Sequence, residues 1–111
     1  MVYMRYKRGE VYLVQEHGTQ GHEIKKTCPW VLVGANPINV ARSTVLAIPL
    51  STQVKEIPGL SIKVYLNNSF SCAVLDQLRA IDKKRLIRLK GELDTHELEL
   101  IEAGLKQILC L

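Results

Sequence analysis

The chain has 111 residues, of which 47% are hydrophobic and 23% charged, with a formal net charge of +4; this is one domain with a core of its own and too apolar to stay disordered. No apolar run approaches the roughly 18 residues a membrane span needs, and the opening MVYMRYKRGEVYLV lacks the unbroken apolar stretch and cleavage site of a signal peptide. Cys28, Cys72 and Cys110 are an odd number without CxxC spacing, which fits reduced thiols in a cytoplasm better than a disulfide framework or a zinc site.

The elements follow in chain order. EVYLVQE alternates as a strand, with Val11 and Leu13 on one face and Tyr12 and Val14 on the other. The loop after it, ending in GHEIKKT, is polar and basic. WVLVG and TVLAIPL are short apolar runs that read as buried strands, and Pro49 inside the second predicts an edge position or a bulge. PGLSIKVYL is a turn and an alternating strand, and Asn67-Asn68 is the next turn. SCAVLDQLRAI reads as a fifth strand. IDKKRL predicts a short helix capped by Asp82.

The tail LDTHELELIEAGLKQILCL is the clearest helix. Asp94 and Glu97 have capping-box spacing, and Leu98, Ile101, Leu105 and Ile108 form one stripe. Its early acids and late Lys106 suit the two ends of a helix dipole. Gly104 weakens it by about 1 kcal/mol relative to alanine but permits close packing. Five strands and this helix predict a small, mainly β (α+β) domain over residues 1–111, a strongly curved sheet or barrel with the helix packed against it. Leu100, Leu109 and Leu111 lie off the stripe and leave apolar surface for a second copy to cover.

Charge is uneven. Residues 1–91 carry 14 Lys and Arg against 6 acids, whereas residues 92–111 carry 1 lysine against 5 acids. A basic body of this kind suits a polyanion or an acidic protein segment, or is a solvated surface. A base-stacking surface would have to come from Trp30, Phe70 or the tyrosines. His17 and His96 have no supporting context.

Four stretches, in order, resemble the MazF/PemK (Kid) family of bacterial toxins, which are RNA-cutting mRNA interferases. They are KRGEVYLV, the GHE of the basic loop, IPLST with Gln53, and LDQLRAIDKKRL; Ile38-Asn39 resembles a Phe-Asn pair. The resemblance implies an SH3-like barrel with a C-terminal helix, a homodimer, and a groove for single-stranded RNA. It implies metal-free, cofactor-free cleavage by attack of a ribose 2′-hydroxyl, leaving a 2′,3′-cyclic phosphate and a 5′-hydroxyl. An antitoxin would block the groove with an acidic segment. A gyrase-poisoning toxin shares the fold, so fold alone does not fix activity.

Carried onto this sequence, the resemblance assigns proton transfer or phosphate contact to His22, the base to Asp76, and the scissile phosphate to Thr52 with Ser51. Gln77 and Arg79 take groove-facing positions, and Lys25 and Lys26 add positive charge. General acid–base help is typically worth roughly 10²–10⁴-fold. An aspartate serving as base would need burial or a neighbouring carboxylate to raise its pKa. The family places a catalytic arginine directly before the strand-opening proline or, in its Kid branch, two residues before the aspartate. Here those positions are Cys28 and Val74, and a thiol does not replace a permanent cation. The expectation is therefore a ribonuclease in which a lysine stands in for the arginine. The alternative is a weakened or inactive member that binds an antitoxin or a gyrase-like protein target.

Overall fold

The computed structural model describes residues 4–16 and 27–111. Seven strands and two helices follow in the order β1 (Glu10–Gln15), β2 (Thr27–Leu32), α1 (Asn36–Ala41), β3 (Thr44–Ser51), β4 (Ser61–Leu66), β5 (Ser69–Val74), β6 (Arg79–Asp82), β7 (Leu86–Glu92) and α2 (Thr95–Leu109). Single 3-10 turns at Leu75–Gln77 and Lys83–Arg85 flank β6. The mainly antiparallel sheet runs β4-β5-β3-β2-β1-β7, and β6 pairs with β3 beside β5. The β1–β7 pairing shifts register twice, after Val11 and after Leu13; such irregularities sharpen the local bend of a strand. The two outer strands then approach at one end, where the Asn67 amide donates to the Lys90 carbonyl at 3.2 Å. The result is a small, incompletely closed barrel of the expected SH3-like kind.

Both faces of the sheet are covered, which is why β1 buries the neighbours Val11 and Tyr12 toward opposite faces, with Val14 on the side of Tyr12. On one face Val11, Val31, Ile48, Leu50, Val64 and Leu75 pack with Ile101 of α2. On the other, Tyr12, Val14, Trp30, Leu32, Val45 and Ile81 form a second cluster. Helix α2 starts as expected, with the Asp94 carboxylate accepting from the Glu97 amide at 2.9 Å. It lies close against the barrel at Gly104, where an added Cβ would meet Ile62 at 2.8 Å and press into Leu75. Leu75 opens the 3-10 turn that carries Asp76 and Gln77, so the helix braces the turn that presents them.

Three expectations are corrected. The described residues form seven strands rather than the expected five: the fifth predicted strand is broken by the Leu75–Gln77 turn into β5 and β6, and β7 follows. The segment around Asp82 is a single 3-10 turn rather than a short helix, although Asp82 does cap it, accepting from the Lys84 amide at 2.9 Å. Pro49 sits in the central strand β3, opposite Trp30 of β2. Its missing N–H falls where β3 changes partner, from β6 over Thr44–Ala47 to β5 at Leu50–Ser51, so no ladder bond is forfeited between two paired strands.

Among the described residues no helix is long and apolar enough to cross a membrane. All three cysteines are free. The acidic tail folds back onto the N-terminal cations: Arg8 pairs with Glu102, and Lys7 with Glu92 at 3.0 Å.

Candidate functional site

Two hollows share the end of β3. The first, about 340 Å³, is lined by Glu16, Cys28, Ser51, Gln53, Val74 and Gln77, among others. It gathers residues from the ends of β1, β2, β3 and β5 and from the turn after β5, which are far apart in sequence and adjacent only through the sheet order. The second, about 300 Å³, is lined by Thr52, Lys55, Lys63, Phe70 and Cys72, and shares Ser51 and Val54 with the first.

Cys28 anchors one wall of the first hollow. In β2 it faces Val14 of β1, and Glu16, two residues beyond Val14, falls on the same face. The Cys28 thiol donates to the Glu16 carboxylate at 3.2 Å and accepts from the Trp30 indole N–H at 3.0 Å. Burial, reinforced by the Glu16 carboxylate, pushes this thiol up to about 11. It stays protonated at neutral pH and is no nucleophile. Arg85 lies close enough to oppose that shift slightly, and its guanidinium donates to the Gln15 carbonyl at 2.9 Å.

The predicted site residues divide. Ser51 and Gln77 meet in the first hollow, and Thr52 lines the second. Asp76 is exposed and lines neither, so the burial its assigned role calls for is not found there. Arg79 is exposed, its guanidinium 5.8 Å from the centre of the Trp30 ring, against the same indole that donates to Cys28. His22, Lys25 and Lys26 lie outside the described residues. Glu16 and Thr27, which bracket that segment in sequence, both line the first hollow.

Cys28 and Val74, the two positions at which the resemblance called for an arginine, open onto this one hollow. Among the described residues none of its lining side chains is basic. Sequence reasoning missed Glu16, the only carboxylate among the described residues of the lining. Its signal was its place two positions past Val14 on an alternating strand, but its neighbour Cys28 comes from the β1–β2 register.

The family profile described as PemK-like, MazF-like toxin of type II toxin-antitoxin system matches residues 7–109. The chain belongs to this family. No curated protein matches it significantly. Among solved structures, an endoribonuclease in complex with its cognate antitoxin from a mycobacterial species is 24% identical, with a TM-score of 0.77 and 95% of each chain covered. A second mycobacterial endoribonuclease is 23% identical, with a TM-score of 0.76 over 95% of this chain and 91% of that one. A MazE-MazF complex from Deinococcus radiodurans reaches a TM-score of 0.85 at 16% identity, covering 98% and 99% of the two chains. These likenesses establish a MazF-type fold; activity and partners rest on the site.

Proposed function

We propose that this MazF/PemK-family chain is a cytoplasmic, toxin-type endoribonuclease that cuts single-stranded RNA without a metal and is held in check by an antitoxin. The observation that carries the reading is the first hollow. Ser51, Gln77, Cys28 and Val74, the positions picked out by separate family motifs, line one cavity of about 340 Å³.

In the reaction a base takes the proton of a ribose 2′-hydroxyl, and the 2′-oxygen attacks the adjoining phosphorus in line. The bond to the 5′-oxygen breaks, and an acid returns a proton to that leaving oxygen. A 2′,3′-cyclic phosphate and a 5′-hydroxyl remain. Glu16 is the base the geometry favours, because among the described residues it is the one carboxylate lining the hollow; Asp76, in the 3-10 turn beside Gln77, is the alternative. The Ser51 and Thr52 hydroxyls and the Gln77 amide donate to the phosphate oxygens, where positioned donors stabilise the growing charge. His22 is the acid, carried on the segment that Glu16 and Thr27 bracket. Lys25 and Lys26, in that same segment, supply the cation that the described residues of the hollow lack.

An antitoxin with an acidic segment would compete for this surface, as RNA does. A homodimer would cover apolar surface that the single chain leaves open: Leu100 and Leu109 of α2 with Leu111 just past its end, or Ile38, Val40 and Leu46 on the α1 side, all of them exposed.

Incubation of the purified protein with mixed-sequence RNA in EDTA tests the reading. Fragments with 5′-hydroxyl ends are expected, with at least a hundredfold less product from Thr52→Ala or His22→Ala. Cleavage that requires magnesium, or product equal to that of the variants, overturns it. A protein that cuts nothing but binds an acidic peptide would be the inactive, protein-binding alternative.

A further inference from the structure

The second hollow continues into a surface that the cleavage chemistry does not use. The Asn67-Asn68 turn has both residues in the left-handed region, φ 51° and 63°, the geometry that suits a two-residue hairpin and fixes its register. That register sets Tyr65 opposite Phe70 and Lys63 opposite Cys72, while Ser51 of β3 lies opposite Cys72 on the other side. Directly opposed residues share a face. Lys63, Cys72 and Ser51 therefore form one row across three strands, with the aromatic pair beside its outer end.

Neither ring belongs to a core cluster. Phe70 is 56% exposed and Tyr65 41%, with ring centroids 4.8 Å apart and tilted by 58°. The pair is held in place: the Tyr65 hydroxyl donates to Asn68 at 3.1 Å. The Lys63 ammonium lies 4.8 Å from the centre of the Phe70 ring. On the far wall, the buried Ser61 hydroxyl donates to the Lys55 carbonyl at 2.6 Å, which fixes the backbone that presents the second lysine. One carboxylate, Glu56, lines the same hollow and accepts from the Lys63 amide at 3.3 Å, so the two lysines leave it a single net positive charge. Exposed aromatic faces beside net positive charge are what stacks and neutralises single-stranded nucleic acid.

We propose that Phe70, supported by Tyr65, is a base-stacking subsite for a nucleotide flanking the cleaved bond, with Lys63 and Lys55 taking the phosphate between that nucleotide and Ser51. The base replaces the Lys63 ammonium over the Phe70 ring and frees it to pair with phosphate. The row from Lys63 to Ser51 spans two strand spacings, about 10 Å, so the stacked base lies one or two nucleotides from the reacting phosphorus. This subsite rests on the RNA reading above and adds to it a place where the strand is gripped away from the chemistry. Stacking on a ring is tolerant of base identity, so the subsite would favour unpaired RNA over duplex rather than one sequence over another.

The test separates binding from cutting. Fluorescence anisotropy of a labelled oligouridylate, with an abasic analogue as control, would be measured on the wild type, Phe70→Ala and Phe70→Trp, alongside cleavage kinetics. Phe70→Ala is expected to weaken oligouridylate binding about tenfold, mainly through KM in cleavage, while Phe70→Trp restores it. The abasic analogue should bind more weakly and be indifferent to Phe70→Ala. RNA binding that depends on Phe70 without any cleavage keeps the subsite and removes the nuclease. Cleavage and binding unaffected by Phe70→Ala remove the subsite and keep the nuclease. If Phe70→Ala abolishes only the binding of an acidic peptide, the ring serves a protein interface and the proposal falls. A wild type that neither binds nor cuts RNA overturns both.

Discussion

Two glutamates bracket β1, and their surroundings are opposite. Glu10 opens the strand and is fully buried. Its Oε2 accepts twice from the Arg5 guanidinium, at 2.9 and 2.7 Å, and its Oε1 accepts from the Lys7 amide and the Tyr12 hydroxyl, each at 2.8 Å. Glu16, just past the other end, is half-buried, and among the described residues the Cys28 thiol is its one hydrogen-bond donor. A buried carboxylate survives only when its lone pairs are taken up by donors. Those of Glu10 are committed to tying the N-terminal segment to the sheet, whereas Glu16 keeps lone pairs facing a hollow. The same residue type is structural at one end of a strand and available for chemistry at the other.

Substituting each glutamate breaks or upholds that contrast, and the effect is the largest foreseen. Glu16→Gln preserves shape and removes the proposed base, so cleavage should fall roughly 10²–10⁴-fold while the melting temperature barely moves. Glu10→Gln should do the reverse. An amide nitrogen turned toward the Arg5 fork or the Lys7 amide loses an acceptor, so the melting temperature should drop by roughly 5 °C or more, with cleavage per folded molecule unchanged. Asp76→Asn is measured beside them. Activity lost there but kept in Glu16→Gln would move the base to the 3-10 turn and undo the comparison.

A cation restored to the hollow sharpens it. Cys28→Arg and Val74→Arg each place a guanidinium in the space that Glu16 faces. Either should raise kcat by about 10²-fold if the missing charge limits the rate. Val74→Arg is the cleaner of the two, since it leaves the Cys28 thiol and its contacts with Trp30 and Glu16 intact. An unchanged kcat in both would mean that a cation from elsewhere, Lys25 or Lys26 among the candidates, already fills the role.

How much of this was legible in the sequence follows from where each signal resides. The strands β1 to β5 and helix α2 carry their own periodicity, and Asp94, Asp82 and Asn67-Asn68 mark boundaries the structure keeps. Strand β7, LIRLKGE, is half exposed and follows a lysine-rich turn, so its alternation is blurred; it is a strand because β1 has an edge to offer. Helix α1 has six residues and no side-chain cap, and so little to read. The hydroxyls of Ser51 and Thr52 and the Gln77 amide came from motif resemblance. Glu16 did not, because a polar residue after a strand is commonplace. Only the pairing of β1 with β2, a long-range fact, sets it against Cys28. The excess of acid in the tail was visible as composition, but its pairing with Arg8 and Lys7 at the far end of the chain was not.

The smallest effect concerns the donor that Glu10 shares with the core. The Tyr12 hydroxyl accepts from the Tyr6 amide at 3.0 Å and donates to Glu10, and burial above all pushes it from 10.0 up to about 12. Tyr12→Phe removes both bonds and leaves a buried acceptor and an amide wanting, so it should cost about 1–3 kcal/mol near neutral pH. The pH profile gives the sharper signature. A group whose folded value is raised is kept neutral by folding, so its contribution is complete below its ordinary value and is lost as pH rises toward the folded one. For Cys28 that window runs from 9.0 to about 11, and for Tyr12 from 10.0 to about 12. Wild-type stability should therefore fall from about pH 9 upward, and Tyr12→Phe should flatten the upper part of that fall while leaving the lower. Denaturant melts across this range decide it: parallel wild-type and Tyr12→Phe curves would mean that the hydroxyl ionises as freely in the fold as outside it, and that Glu10 is held by Arg5 and the Lys7 amide without it.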